Sequence, residues 1–320
     1  MFAAYAARID RDQPLNGLEL GERPEPDVPL GWTTVDVKAA SLNHHDLWSL
    51  RGVGLGEESL PMILGCDAAG VDADGNEVVL YSVVGATGHG VGPRERPSIL
   101  TEKYQGTFAE RVAVPQWNVL PKPKELSFEE AACLPTAWLT AYRMLFTNAE
   151  VRPGDSVLVQ GAGGGVATAA IALGAAAGLR VFATSRDEAK RRRAEELGAE
   201  GAFESGARLP HRMDAVIETV GAATWSHSVK SLKPGGRLVI SGATSGPNPP
   251  ATELNRIFFL ELKVVGSTMG SKEELAGLLN FCAAKGVRPV IDSVLPLDRA
   301  REGFEKMATG DLFGKIVLTV

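Results

Sequence analysis

Residues 156–167 read Ser-Val-Leu-Val-Gln-Gly-Ala-Gly-Gly-Gly-Val-Ala, an apolar run followed at once by glycines at 161, 163, 164 and 165. Val157, Leu158 and Val159 have the character of a strand buried on both faces. The glycines permit a tight turn, and an alanine-rich helix is expected from Val166 to about Ala177. Such a turn sets unpaired backbone N–H groups and the positive end of a helix dipole where a pyrophosphate can sit. Gly163, Gly164, Gly165 and Val166 are therefore the candidate residues of a dinucleotide site. The fingerprint G-x-G-x-x-G is met with Ala162 and Ala167 in its outer places and Gly164 in the middle, where backbone must approach phosphate. The plainer alternative is an ordinary strand-turn-helix corner.

About twenty residues beyond such a turn, an Asp or Glu holds the ribose 2′-hydroxyl in NAD-specific sites. Here the next strand ends in Thr184-Ser185-Arg186-Asp187. A hydroxyl followed by a guanidinium suits a 2′-phosphate, and the Asp187 carboxylate is expected to begin the next helix. The cofactor expected is NADPH. Lys190 could add charge to that pocket, whereas Arg191, Arg192 and Arg193 read as a solvated helix face.

The elements that must position these groups follow from pattern. With 320 residues the chain is long enough for two domains. A formal net charge of −6 argues against a general nucleic-acid binder. Cys66, Cys133 and Cys282 lack the close spacing of a metal knot or disulfide framework, and the N-terminus meets charge too early for a signal peptide. The apolar stretch 166–184 is broken by Gly174, Gly178 and Arg180, so no membrane span is expected and the cytoplasm is the default location.

The first 120 residues read as β-rich, with strands at 33–39, 77–84 and 108–115 and Gly- or Pro-punctuated gaps such as 88–93. From about Leu126 the period becomes helical, with Ser127 as N-cap and a helix at 137–145. Strands at 180–184, 214–218, 236–240 and 262–266 then alternate with helices at 187–197, 224–232, 253–260 and 272–285, which predicts a doubly wound parallel sheet. An extended segment from 287, a helix at 298–309 and a strand from Lys315 return the chain to its first domain. The expected boundaries are 1–121 with 287–320 for one domain and 122–286 for the nucleotide-binding insertion, with the active site in the cleft between them.

Taken together, Asn43-His44-His45-Asp46, the runs 65–70, 106–110 and 134–142, the glycine turn, Glu218-Thr219-Val220-Gly221, 233–237 and 314–318 resemble the medium-chain dehydrogenase/reductase superfamily, in its zinc-free quinone oxidoreductase branch. The resemblance implies a GroES-like β-barrel domain plus an inserted Rossmann domain, in an α/β fold, with hydride transfer as the chemistry. It implies that Thr140, Val220, Ser241, Gly242 and Ala243 line the nicotinamide half of the site, together with Met269, Gly270 and Lys315. It also implies a homodimer formed through the edge of the Rossmann sheet, with 262–268 as the edge strand.

Zinc relatives carry Cys, His and Cys where this chain has Asn43, Cys66 and Thr136, and 85–107 contain no Cys for a structural zinc. No zinc is expected, since Asn and Thr are poor ligands; an improvised site of His44, His45, Cys66 and Asp67 is the weaker alternative. Without a Lewis acid, a quinone or α,β-unsaturated carbonyl substrate supplies its own electron sink. Asn43 could bond a ribose or substrate oxygen, His45 could pass a proton to the reduced oxygen, and Trp48 could form an apolar wall. Asp46 reads as a cap. The reading is a zinc-independent, NADPH-dependent reductase of quinones or enones; the alternatives are a zinc-type alcohol or aldehyde dehydrogenase and a catalytically silent NADPH-binding protein.

Overall fold

The computed structural model describes residues 1–85 and 97–320, so the punctuated stretch at 88–93 lies outside the described residues. The chain forms two compact units, Met1–Ala137 with Gly270–Val320, and Trp138–Met269. The sequence pattern changes period near 122 and 287, whereas the packing changes over at 137/138 and 269/270. Tertiary bonds explain the difference. Helix Phe128–Ala132 is held in the first unit where Ser41 Oγ donates to Ala132 O at 3.0 Å. Helix Lys272–Lys285 leads to Arg288, which donates to Glu125 O at 3.0 Å and pairs with Glu130 at 3.5 Å.

In the first unit a seven-stranded sheet runs in the order Val119–Pro121, Glu77–Leu80, Asp67–Asp72, Trp32–Ser41, Lys315–Thr319, Ile291–Pro296, and Arg111–Pro115 also pairs with Trp32–Ser41. Strand Trp32–Ser41 alternates buried Val35 and Val37 with exposed Asp36 and Lys38, then is buried throughout from Ala39 to Ser41. Its final residues pair antiparallel with the last strand, Val317 opposite Ser41, which brings Lys315 beside Asn43. Phe108 and Phe304 meet edge to face at 6.0 Å in the core beneath. The run expected as one strand at 77–84 breaks after Leu80, where the Asn118 side-chain amide donates to Tyr81 O at 2.6 Å and to Val83 O at 2.8 Å, before pairing resumes at Val83–Val84.

The second unit is built on a six-stranded parallel sheet, Gly201–Phe203, Arg180–Thr184, Ser156–Val159, Met213–Glu218, Leu232–Ile240 and Lys263–Gly266. In chain order within this unit that is 3-2-1-4-5-6, so the order reverses beside Ser156–Val159, the position at which doubly wound sheets bind ligands beyond their strand ends. Ser156–Val159 is buried at every residue, as its apolar run predicts. The helix expected at 137–145 is α-helical only over Leu139–Tyr142 and has π-type turns, Leu134–Trp138 and Arg143–Asn148, on either side. Among the described residues no helix is long and apolar enough to cross a membrane.

Candidate functional site

The candidate residues form two clusters, one in each unit. In the second unit the turn after Ser156–Val159 enters the left-handed region at Gly161, φ 84°, which glycine adopts without strain. Helix Gly165–Ala176 starts behind Gly164, an N-cap residue with no side chain to cap it. The N–H groups of Gly165, Val166 and Ala167 therefore point out of the helix start without intrahelical acceptors. Among the described residues a Cβ at Gly164 would meet nothing within 4 Å, which leaves this backbone open to an approaching anion. Ala162 and Ala167 are 2% and 5% exposed, so the two departures from the glycine fingerprint are small side chains fitted into packed positions.

The turn is wired from below by side chains on neighbouring strands. Gln160, 1% exposed, accepts from the Thr184 hydroxyl at 2.6 Å and donates to Ser228 Oγ at 2.9 Å. Its amide nitrogen also lies 2.9 Å from His227 Nδ1, while His227 Nε2 faces Ala207 O at 2.9 Å. Fully buried Glu218 accepts from the N–H groups of Val220 and Gly221 at 2.7 and 3.0 Å, and from the hydroxyls of Thr224 and Ser228 at 2.7 and 2.6 Å. Gly221 cannot be replaced quietly: its φ is 91°, and a Cβ would stand 2.6 Å from Gly246 O.

Ser185 is 8% exposed, and its hydroxyl accepts from Asp187 N–H at 3.2 Å, leaving its own proton to donate. Arg186 is exposed and Lys190 half-buried. Asp187 caps the following helix by accepting from Ala189 and Lys190 N–H at 2.8 and 3.2 Å. Arg191, read from sequence as part of a solvated face, instead donates to Ser185 O at 2.7 Å. Val220, Ser241, Gly242 and Ala243 follow the ends of Met213–Glu218 and Leu232–Ile240 on the same sheet edge, all half-buried. Thr140 is 7% exposed on its short helix, and Met269 is half-buried after the last strand of this unit.

In the first unit, Asn43, Cys66, Asp67, Thr136 and Lys315 converge. Asn43 Nδ2 donates to Asp67 Oδ2 at 2.8 Å, and Asn43 Oδ1 accepts from Lys315 Nζ at 2.6 Å. Lys315, 3% exposed, also donates to Leu42 O at 2.6 Å and stands 3.5 Å from Asp67. Thr136 Oγ1 donates to Asp67 Oδ1 at 2.5 Å, and Cys66 Sγ lies 3.6 Å from both Asn43 Nδ2 and Thr136 Oγ1. The Asn43 amide and the Lys315 ammonium are thus each engaged within this cluster. Burial, with Asp67 and Asp46 adding to it, holds the Cys66 thiol well above its usual pKa, so it stays a thiol. An amide, a thiol and a hydroxyl beside a buried ammonium do not fit Zn²⁺, which takes thiolate, imidazole and carboxylate ligands. Among the described residues no group of three His, Cys, Asp or Glu is placed to hold a metal, the set His44, His45, Cys66 and Asp67 included.

Asn43 opens helix His44–Leu50, and Asp46 closes a capping box by accepting from Asn43 N–H at 2.8 Å. It also accepts from Gly65 N–H at 3.2 Å; burial pushes its pKa up to about 7. His45 sits one residue earlier on this helix, with Nε2 3.0 Å from Thr101 Oγ1 and 3.5 Å from Ser49 Oγ. Burial lowers its pKa, and the Asp67 charge opposes that shift. Trp48 is 37% exposed on the same helix. The sequence reading gave no role to Gln160, Thr184 or Thr101, and set Arg191 on a solvated face. The first two carried a usable signal, a polar residue at the carboxyl end of a buried parallel strand.

Residues 29–124 match the alcohol dehydrogenase GroES-like domain, and residues 165–284 match the zinc-binding dehydrogenase family. The chain is 30% identical to a zinc-type alcohol dehydrogenase-like protein of Schizosaccharomyces pombe, over 96% of this chain and 97% of that one. It is 29% identical to the quinone oxidoreductase of Mus musculus, over 89% and 88%. A solved structure described as an NAD-dependent alcohol dehydrogenase superposes with a TM-score of 0.90 at 36% identity, covering 100% of both chains. A GroES-like unit joined to a Rossmann-type parallel sheet, and matches along nearly the whole length to oxidoreductases, lead to one assignment: the chain belongs to the medium-chain dehydrogenase/reductase superfamily.

Proposed function

We propose that the protein is a zinc-independent, NADPH-dependent reductase of quinones or α,β-unsaturated carbonyl compounds. One observation carries this reading: the positions that hold zinc ligands in metal-dependent relatives are hydrogen-bonded around Asp67 and closed by the Lys315 ammonium. The uncapped helix start at Gly165, Val166 and Ala167, with Gly163 and Gly164 before it, would hold the pyrophosphate. Ser185, Arg186 and Lys190 would hold the 2′-phosphate, with Arg191 fixing the Ser185 backbone. Thr140, Val220, Ser241, Gly242, Ala243, Met269 and Gly270 would line the nicotinamide half. Bound NADPH supplies the hydride. A conjugated acceptor spreads the arriving charge onto its own oxygen, and His45 delivers the proton there. Asn43 and Lys315 act by holding the wall of the site, since their polar atoms are already bonded to each other, to Asp67 and to Leu42 O, and Trp48 offers an apolar surface.

The test is NADPH oxidation by chelator-treated, metal-assayed protein across quinones, enones and aldehydes. Zinc-restored alcohol oxidation with NAD would overturn the proposal in favour of the second reading, an NAD-dependent alcohol dehydrogenase, which the 36% identical solved structure favours. NADPH binding with no turnover on any acceptor would point to a silent binding protein. We also propose a homodimer through the edge strand Lys263–Gly266. Among the described residues this strand is paired on one side only; it carries exposed Val264 and follows helix Leu254–Phe259, whose Phe258 and Phe259 are exposed. Val264→Lys with Phe259→Asp should lower the mass measured by light scattering to that of a monomer.

A further inference from the structure

We infer that Thr101 is a positioning residue for His45: its hydroxyl oxygen accepts the Nε2–H bond and leaves Nδ1 as the nitrogen that exchanges a proton with substrate. The inference deepens the proton-donor reading above and rests on it. Thr101 is fully buried and has φ 81°, in the left-handed region where a β-branched residue is a genuine outlier. Glycine would occupy that backbone without strain. Threonine persists because its surroundings over-determine it. Thr101 N–H donates to Tyr104 O at 2.9 Å, Leu100 N–H to Ser82 O at 3.0 Å and Glu102 N–H to Ile99 O at 3.2 Å, around a fully buried Leu100. Strained residues of this kind gather where a side chain must be aimed. Here the aimed group is Oγ1, 3.0 Å from His45 Nε2.

Ser49 Oγ stands 3.5 Å from the same nitrogen, so two hydroxyls converge on Nε2, while among the described residues Nδ1 has no hydrogen-bond partner. With Nε2–H donated to Thr101, the imidazolium gives its Nδ1 proton to the oxygen of the reduced substrate. The electron pair of that N–H bond stays on Nδ1, the neutral ring keeps Nε2–H, and solvent later returns the proton to Nδ1. The opposite tautomer would leave Nδ1 protonated in the neutral ring and unable to accept that return.

The test uses full-length protein labelled with ¹⁵N-histidine, with the His45 signals assigned by their loss in His45→Gln. The wild type should show the Nε2–H tautomer near neutral pH. Thr101→Val should yield a mixture with faster Nε2–H exchange, and Thr101→Ser should restore the single tautomer. Thr101→Gly relieves the backbone while removing the hydroxyl, and should behave like Thr101→Val in a fold free of strain. In quinone reduction, Thr101→Val should shift the alkaline limb of the pH profile to lower pH and lower the neutral-pH rate about tenfold, with rescue by serine. An Nδ1–H tautomer in the wild type, or an unchanged tautomer and profile in both Thr101→Val and Thr101→Gly, overturns the inference. A full rate in His45→Gln overturns the proton-donor reading instead, and the tautomer shift still decides the role of Thr101.

Discussion

Replacing Lys315 by methionine removes an ammonium held 2.6 Å from Leu42 O and from Asn43 Oδ1, and 3.5 Å from Asp67. Methionine keeps most of the length of the side chain, so the change is mainly electrostatic. Both partners are buried, Lys315 at 3% exposure and Asp67 at 0%. At an effective dielectric constant of about 20, unit charges 3.5 Å apart attract by about 5 kcal/mol. Asp67 keeps the donors Asn43 and Thr136, which soften the loss. Lys315→Met is therefore expected to lower the unfolding free energy by about 3–5 kcal/mol, the range for stranding one charge of a buried pair. Adding Asp67→Asn removes the stranded charge and should recover about 2 kcal/mol, within the usual range of coupling between contacting groups. Urea unfolding of the wild type, both single variants and the double variant near neutral pH measures this cycle. A loss below about 1 kcal/mol in Lys315→Met, the size of an exposed pair, would mean that no strong buried charge pair exists here, as would a double variant no more stable than Lys315→Met.

Ser185→Asp combined with Arg186→Ala should lower the NADPH-to-NADH ratio of kcat/KM by about tenfold or more, because a carboxylate replaces two groups suited to a phosphate; an unchanged ratio removes the assignment. Glu218→Ala strands the N–H groups of Val220 and Gly221 and the hydroxyls of Thr224 and Ser228. It should cost about 3–5 kcal/mol in denaturant unfolding, with Glu218→Gln recovering most of it. Asp46, raised from 3.8 to about 7 by burial, binds its proton more tightly in the folded chain. Its contribution to stability is thus fully present below pH 3.8 and lost as the pH rises through about 7. Asp46→Asn should flatten that part of the stability-against-pH curve, measured by urea midpoints, and an unaltered slope would contradict it.

The elements that could be read from sequence are those with local signals. Helix Lys272–Lys285 has a capping box from Ser271 and Glu274 and ends at Gly286 with φ 66°, each a short-range cue, and its observed limits match the expected ones. Strand Ser156–Val159 and its turn are legible for the same reason. Strand Gly201–Phe203 was not, being three half-buried residues on the sheet edge with no run of their own. The pairing of Lys315 with Asn43 spans 272 residues, beyond any periodicity argument. Arg191 follows the polar pattern of a solvated face, and only the tertiary position of Ser185 O draws it back to the strand end. Thr101 runs against its own backbone preference, so propensity hides it.

The proposed reaction is reduction of a conjugated acceptor by NADPH without a metal. Its most direct measurement is single-turnover NADPH oxidation, followed by absorbance, in protein stripped with chelator and assayed for bound metal, with a quinone or an enone as acceptor. The metal-free protein should show a full rate, unchanged on adding Zn²⁺, and a far slower reaction with a saturated aldehyde. A rate that appears only when Zn²⁺ is restored, or a preference for the saturated aldehyde, would contradict it.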